Sequence, residues 1–157
     1  MKENDNLYLE NNFNSILLKS HSQYLDLLNA IREDTERIIL VQTDGDDQTD
    51  PVVNAAKEMM TLEKREIVSE WFGTISPGRD ATQYTFLIKR KFFDYLSAFE
   101  SFFIIESGNP YKVRNTDFGY DDVAFSDRNG EILFFTTTHE GYAALNKKYR
   151  TLFKDCL

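Results

Sequence analysis

Residues 117–157 have the sequence DFGYDDVAFSDRNGEILFFTTTHEGYAALNKKYRTLFKDCL, which contains the clearest fold signal in the chain. Successive side chains suit opposite faces of a sheet in two segments, Asp122–Ser126 and Glu131–Thr137, and this alternation predicts two strands. The connection Asp127–Gly130 is Asp-Arg-Asn-Gly, in which Asp starts a tight turn and Gly supplies a positive φ. The stretch therefore predicts a β-hairpin.

The end of the same stretch predicts an amphipathic helix that begins at Glu140. Tyr142, Leu145, Tyr149 and Leu152 recur at helical spacing and form its apolar side. Lysine and arginine side chains gather toward its C-terminal end, where cations interact favourably with the helix dipole.

A structural interpretation accounts for the residues at the start of this helix. Thr137 and Glu140 have the spacing of a capping box, in which each side chain accepts a hydrogen bond from a backbone N–H. The zinc-protease pattern His-Glu-x-x-His is not met, because Ala143 stands at its last position. The sequence favours the cap.

A chemical interpretation of the same junction is the alternative. His139 and Glu140 are a candidate general base and its partner, and Asp121, Asp122 or Asp127 is a candidate metal-binding acid. This alternative predicts a small hydrolase-like or metal-binding domain with His139, Glu140 and Asp122 as its catalytic residues.

The middle of the chain predicts a second hairpin and an aromatic helix. Glu66–Ile75 and Thr82–Lys89 alternate as strands around a turn of Ser, Pro and Gly, and one face of the first strand is expected to be buried. Phenylalanines from Phe92 to Phe103 recur at helical spacing.

The first third of the chain predicts a helix, a strand and a second helix. Residues 1–8 are a polar lead that is expected to fray, and apolar side chains repeat at helical spacing from Asn12 to Glu33. Arg37–Thr43 is rich in β-branched residues and predicts a buried strand. Asp50 and Pro51 are a good N-cap and first residue for the next helix.

These elements predict one α+β domain over residues 1–157. We expect a mainly antiparallel sheet of about five strands, packed by three or four helices, because hairpins separated by helices do not suit a regular parallel fold.

The loop DGDDQTD, residues 44–50, invites comparison with a calcium-binding loop. Asp44 and Asp46 match its first two ligands, but Gln48, Thr49 and Ala55 stand where an acid, a glycine and a bidentate glutamate belong. We therefore predict a solvated loop, and no metal.

Composition narrows the classes of function. The net charge is −8, and residues 1–50 hold eleven acidic against four basic side chains, a balance of −7. Repulsion from phosphate backbones disfavours nucleic acid, whereas a basic protein partner is electrostatically favoured. The acids Asp44, Asp46, Asp47, Asp121 and Asp122 are the candidate partner-binding residues.

The sequence also predicts a cytoplasmic setting without a cofactor. It has one cysteine, Cys156, and neither a signal peptide nor an apolar run long enough to span a membrane. Walker, GxGxxG and CxxC motifs do not occur. Without a recognisable nucleophile motif, the sequence favours a protein that is not an enzyme.

The favoured function is a non-catalytic protein-interaction domain that binds a basic partner. Bacterial immunity and antitoxin proteins are of this kind. Over residues 117–157, the hairpin, the downstream His-Glu pair and the expected closing helix resemble one family of such immunity proteins.

Overall fold

The computed structural model describes residues 11–43, 49–75, 80–102, 104–105, 113–114, 121–138 and 141–157. For residues 74–75, 104–105 and 113–114 it describes the backbone alone.

A seven-stranded sheet forms the centre of the described chain, and all its neighbouring strands are antiparallel. Its strands are β1 (Phe13–Ser15), β2 (Arg37–Gln42), β3 (Thr61–Val68), β6 (Ala81–Leu87), β9 (Asp122–Ser126), β10 (Ile132–Thr137) and β11 (Tyr142–Asn146), in the spatial order β1-β11-β10-β9-β2-β6-β3. Two smaller sheets pair β4 (Glu70–Trp71) with β5 (Thr74–Ile75), and β7 (Ile104–Ile105) with β8 (Val113–Arg114). The predicted α+β class with an antiparallel sheet is confirmed, but the predicted number of about five strands is too low.

Three α-helices of the described chain pack on one face of this sheet: α1 (His21–Arg32), α2 (Pro51–Met59) and α3 (Arg90–Ser97). The start of α2 is as predicted, because Asp50 Oδ1 accepts the N–H groups of Val52 and Val53 at 3.0 and 3.1 Å. Two 3₁₀ helices, Lys147–Leu152 and Lys154–Cys156, follow β11. None of the helices in the described ranges has the length and apolar character that crossing a bilayer requires.

The main core lies between these helices and the sheet. Tyr24 on α1, Phe92 on α3, and Phe125 and Phe134 on the central strands are all at most 1% exposed. Leu133 and Phe134 are consecutive yet both belong to this core, because a register shift between Ile132 and Phe134 places a β-bulge in β10. The predicted β9–β10 hairpin is confirmed, with Gly130 at φ +81° in its turn.

A short hairpin covers part of the opposite face of the sheet. After the edge strand β3, β4 and β5 bring Trp71 against Val41 and Ala81, and Phe72 against Phe135. We call residues 70–75 the strap. Gly73, at φ +69°, lies so close to Phe135 that a Cβ atom at this position would be 2.5 Å from its ring.

The predicted helix Asn12–Glu33 is correct only in its second part. Phe13–Ser15 instead pairs with β11, and α1 begins at His21 behind an N-cap in which Ser20 Oγ accepts the N–H of Gln23. The physical reason is that Phe13 packs on Phe135, on the face of the sheet opposite α1. A continuous helix cannot bury side chains on both faces of one sheet.

The predicted closing helix from Glu140 is wrong. Tyr142–Asn146 is a strand that pairs with both β10 and β1. Gly141 has φ +63°, a conformation outside the right-handed helical region, and it turns the chain back after β10. The predicted capping box is therefore wrong as well, because Thr137 is the last residue of β10 and pairs with Tyr142.

The strand predicted over Glu66–Ile75 also needs correction. The structure instead has β3 over Thr61–Val68, paired with β6, and then the strap. Ile67 is 57% exposed on β3, which is an edge strand of the sheet. Charged side chains and a bulge between Leu62 and Lys64 protect this edge against pairing with other chains.

Candidate functional site

The candidate residues from the sequence fall into three groups in the structure. Asp44, Asp46, Asp47, His139 and Glu140 lie outside the described residues. Asp121 and Asp122 lie at the start of β9 and are 6% and 0% exposed. Asp127 lies beyond the other end of β9, in the hairpin turn.

The Asp122 carboxylate is a buried acceptor that joins three segments of the chain. Its Oδ2 accepts the indole N–H of Trp71 at 2.8 Å, and its Oδ1 accepts the backbone N–H of Thr138 at 2.8 Å. Hydrogen bonds to an ionised acceptor are among the stronger ones in proteins. Asp122 thereby attaches the strap and the end of β10 to the central strand β9.

A set of threonine hydroxyls extends this network across the same end of the sheet. Thr138 Oγ1 donates to the carbonyl oxygen of Asp121 at 2.7 Å and lies 3.0 Å from Thr136 Oγ1. Thr136 Oγ1 in turn accepts the N–H of Val123 at 3.2 Å. Since Thr136 and Thr138 are fully buried, these bonds replace water for the polar groups at the end of β9 and β10.

The three aspartates considered as metal-binding acids do not converge. Asp122 and Asp127 are separated by the length of β9, roughly 16 Å at about 3.3 Å per residue. Ligands of one metal ion must all lie within about 2–2.6 Å of it, so these two carboxylates cannot share an ion. Within the described ranges, no group of three or more His, Cys, Asp or Glu side chains could hold a metal ion.

The end of the sheet opposite to Asp122 carries an acidic groove of about 470 Å³. Glu33, Asp34 and Glu36, from the connection between α1 and β2, line it together with Asp127 from the β9–β10 turn. Arg128 and Lys148 also contribute to its lining. We call this cavity the acidic groove, after its four carboxylates Glu33, Asp34, Glu36 and Asp127.

A backbone hydrogen bond joins the two sides of the acidic groove, and the Asp127 side chain fixes the turn on one side. The N–H of Glu36 donates to the carbonyl oxygen of Ser126 at 2.8 Å. In the turn, Asp127 Oδ1 accepts the N–H groups of Asn129 and Glu131, both at 2.9 Å. The second oxygen of Asp127 takes part in neither of these two bonds, and Asp127 is one of the residues that line the groove.

Tyr149 connects the acidic groove to the 3₁₀ helix. Its hydroxyl donates to Asp34 Oδ2 at 2.6 Å. Burial, followed by this hydrogen bond and the charge of Asp34, raises the pKa of Tyr149, and the charges of Asp127 and Glu131 raise it further. The phenol therefore experiences the negative potential of Asp34 and Asp127 in the groove and of Glu131 nearby.

Sequence reasoning missed this groove, although one signal was available. Glu33, Asp34 and Glu36 occur within four residues, directly before a predicted strand. Their meeting with Asp127 depends on the antiparallel pairing of β2 with β9, in which Arg37 lies opposite Ser126. That pairing brings together residues far apart in the sequence.

Comparison of the chain with known protein families, with curated proteins and with solved structures finds no significant match. The fold and surface therefore define the protein only as an α+β domain with a seven-stranded antiparallel sheet and an acidic groove at one sheet end.

Proposed function

We propose that the protein is a non-catalytic interaction domain whose acidic groove receives a basic side chain or loop of a partner protein. The observation that carries this proposal is the convergence of Glu33, Asp34, Glu36 and Asp127 on one open groove. The net charge of −8 supports it, because an excess of negative charge accelerates encounters with basic proteins.

The partner-binding residues predicted from the sequence are not all equally suited to this proposal. Asp44, Asp46 and Asp47 remain predicted contacts that would form a second part of the partner-binding surface. The carboxylate of Asp122 is buried and bonded within the fold, and Asp121 is 6% exposed, so the partner surface is better sought in the acidic groove.

Affinity capture with matched variants tests the proposal. We expect the unmodified protein to retain a basic partner from a lysate of its source cells, and Glu33→Lys/Glu36→Lys to bind the purified partner at least about tenfold more weakly. Glu58→Lys/Asp80→Lys is the control, because it reverses two exposed acids outside the groove and changes the net charge equally. Titration calorimetry at two salt concentrations measures the affinities.

Two results would count against this proposal. One is equal weakening by the groove variant and the control, which would mean that net charge alone governs binding. The other is a captured partner without a basic surface.

The immunity or antitoxin class is the more specific form of the proposal. It predicts that the partner is toxic to the cells that make it, and that co-expression of this protein restores growth. The Glu33→Lys/Glu36→Lys variant is then expected to lose protection while it remains folded, as circular dichroism would verify.

The second function, a hydrolase-like or metal-binding domain that uses His139, Glu140 and Asp122, stays a prediction. One observation favours its geometry: the N–H of Thr138 donates to Asp122 Oδ1, so this carboxylate is bonded to the residue before His139. Elemental analysis after incubation with Zn²⁺ tests it. A metal site predicts bound zinc that His139→Ala removes and that the control His21→Ala retains, since these are the two histidines of the chain. Zinc-free unmodified protein would reject the metal-binding form of this function.

A further inference from the structure

A basic cleft of about 400 Å³ lies beside the 3₁₀ helix Lys147–Leu152. Lys147, Lys148 and Arg150 line it, and the amide side chains of Asn11, Asn12 and Asn146 complete most of its wall. No carboxylate stands among the described residues of this lining. Three cationic side chains thus line one cleft of a chain whose net charge is −8.

Two distant segments of the chain build the basic cleft. Asn11 and Asn12 precede β1, whereas the cations follow β11, and Phe13 lies opposite Asn146 where these strands pair. Leu17 N–H also donates to the carbonyl oxygen of Cys156 at 2.9 Å. The cleft is thus held by sheet pairing and does not depend on the conformation of one surface turn.

Asn146 fixes the turn that presents the cations. It is 5% exposed; its Oδ1 accepts the N–H of Lys148 at 3.1 Å, and its Nδ2 donates to Ile132 O and Glu131 Oε1 at 3.1 and 2.9 Å. The Glu131 carboxylate therefore lies behind Asn146 and partly offsets the positive potential.

The donor types in the cleft suit a multiply charged oxyanion. Lysine ammonium and arginine guanidinium groups donate hydrogen bonds, and arginine can donate two in parallel to a phosphate. A monocarboxylate would neutralise only one of the three cations. Carboxylates that lie farther than about 8 Å from the cleft oppose binding weakly, because salt screens charges beyond this distance at physiological ionic strength.

We propose that the basic cleft binds the phosphate group of a small molecule. Lys148 lines both this cleft and the acidic groove, whereas Lys147 and Arg150, which the test below replaces, line the cleft and not the groove. The proposal therefore survives or fails separately from the proposed function.

Inorganic pyrophosphate is the probe for the test, with sodium chloride at matched ionic strength as its reference. We expect saturable binding in titration calorimetry and a rise in Tm that saturates with it, since a ligand of the folded state stabilises that state. Lys147→Gln/Arg150→Gln is expected to weaken binding at least about tenfold. The control Arg90→Gln/Lys91→Gln removes the same two types of charge from an exposed position at the start of α3, and it should change the affinity by less than about twofold.

Amide chemical shifts provide a readout that does not depend on any variant. In the unmodified protein, pyrophosphate is expected to perturb the amides of residues 146–151 and of Asn11 and Asn12. The proposal is overturned if the unmodified protein shows no saturable response, if the control loses as much affinity as the cleft variant, or if the perturbed amides lie elsewhere. Binding of a single-stranded oligonucleotide without binding of pyrophosphate would also reject it in favour of a nucleic-acid surface.

Discussion

Replacement of Gly73 by alanine is expected to lower the free energy of unfolding by about 3 kcal/mol. Two costs add. The backbone at φ +69° costs an alanine about 1–2 kcal/mol, and the new methyl group would lie 2.5 Å from the ring of Phe135. This ring cannot easily move away, because Phe135 is 1% exposed and packs against both Phe13 and Phe72. Urea unfolding monitored by circular dichroism measures the effect.

Gly130→Ala is the matched control for this prediction. Gly130 also has a positive φ, of +81°, but nothing lies within 4 Å of an added Cβ atom. We expect this variant to show the backbone cost alone, about 1–2 kcal/mol. If Gly73→Ala were no more destabilising than Gly130→Ala, the strap would not be packed against Phe135 as described. Phe135→Leu should make the alanine at position 73 less costly, which a double-mutant cycle would detect.

Asp122→Asn is expected to destabilise the protein by about 3 kcal/mol. The amide has nearly the shape of the carboxylate, but it has one acceptor oxygen for the two donors, Trp71 Nε1 and Thr138 N, and it loses the negative charge that strengthens both bonds. A buried donor left without its acceptor loses its solvation without compensation. Unfolding in urea measures this loss, and Asp80→Asn at an exposed position should stay within about 0.5 kcal/mol of the unmodified protein.

Trp71 makes the mechanism of this loss directly observable, because it is the single tryptophan of the chain. Trp71→Phe removes the indole donor, and we expect it to cost about 2 kcal/mol. In a double-mutant cycle, Trp71→Phe and Asp122→Asn should be sub-additive by at least about 1 kcal/mol, since both remove the same bond. Strict additivity would show that the bond contributes nothing to stability.

If the strap detaches before the sheet unfolds, the emission of Trp71 will shift to longer wavelength at a lower urea concentration than the circular dichroism transition.

The elements predicted correctly are those whose signals are local. Asp127–Gly130 encodes its own turn, Asp50 and Pro51 encode the start of α2, and the apolar run beginning at Arg37 encodes the buried strand β2. In each case the residues that carry the signal also make the stabilising bonds, or are themselves the buried side chains. Tertiary context was not needed to identify them.

The missed strands lack such a local signal. In β11, Ala143 and Leu145 face the main core and Ala144 faces the other side, so both faces are buried and the apolar alternation of a half-exposed strand is absent. Alanine and leucine also favour helices. β1 has three residues and exists because β11, which is distant in the sequence, offers it hydrogen bonds: Phe13 pairs with Asn146 and Ser15 with Ala144. Long-range pairing of this kind overrides local propensity.

The candidate sites were less predictable than the fold, since acidity alone does not say where a carboxylate lies. Asp122 and Asp127 are similar residues in sequence, but one accepts hydrogen bonds inside the protein and the other lines an open groove. The basic cleft was interpreted from sequence as the solvated end of a helix. It became a candidate site when β1 placed Asn11 and Asn12 beside the cations.

By itself, the sequence determined the α+β class, the β9–β10 hairpin, the capped start of α2 and the excess of negative charge. These depend on turn chemistry, capping and composition, which act over a few residues or need no geometry. Only the tertiary structure decided that residues 142–146 form a strand, that the strap covers the second face, and that the charges separate into an acidic groove and a basic cleft. The reason is that each of these features requires contacts between segments distant in sequence, and the free energy of those contacts is not encoded in either segment alone.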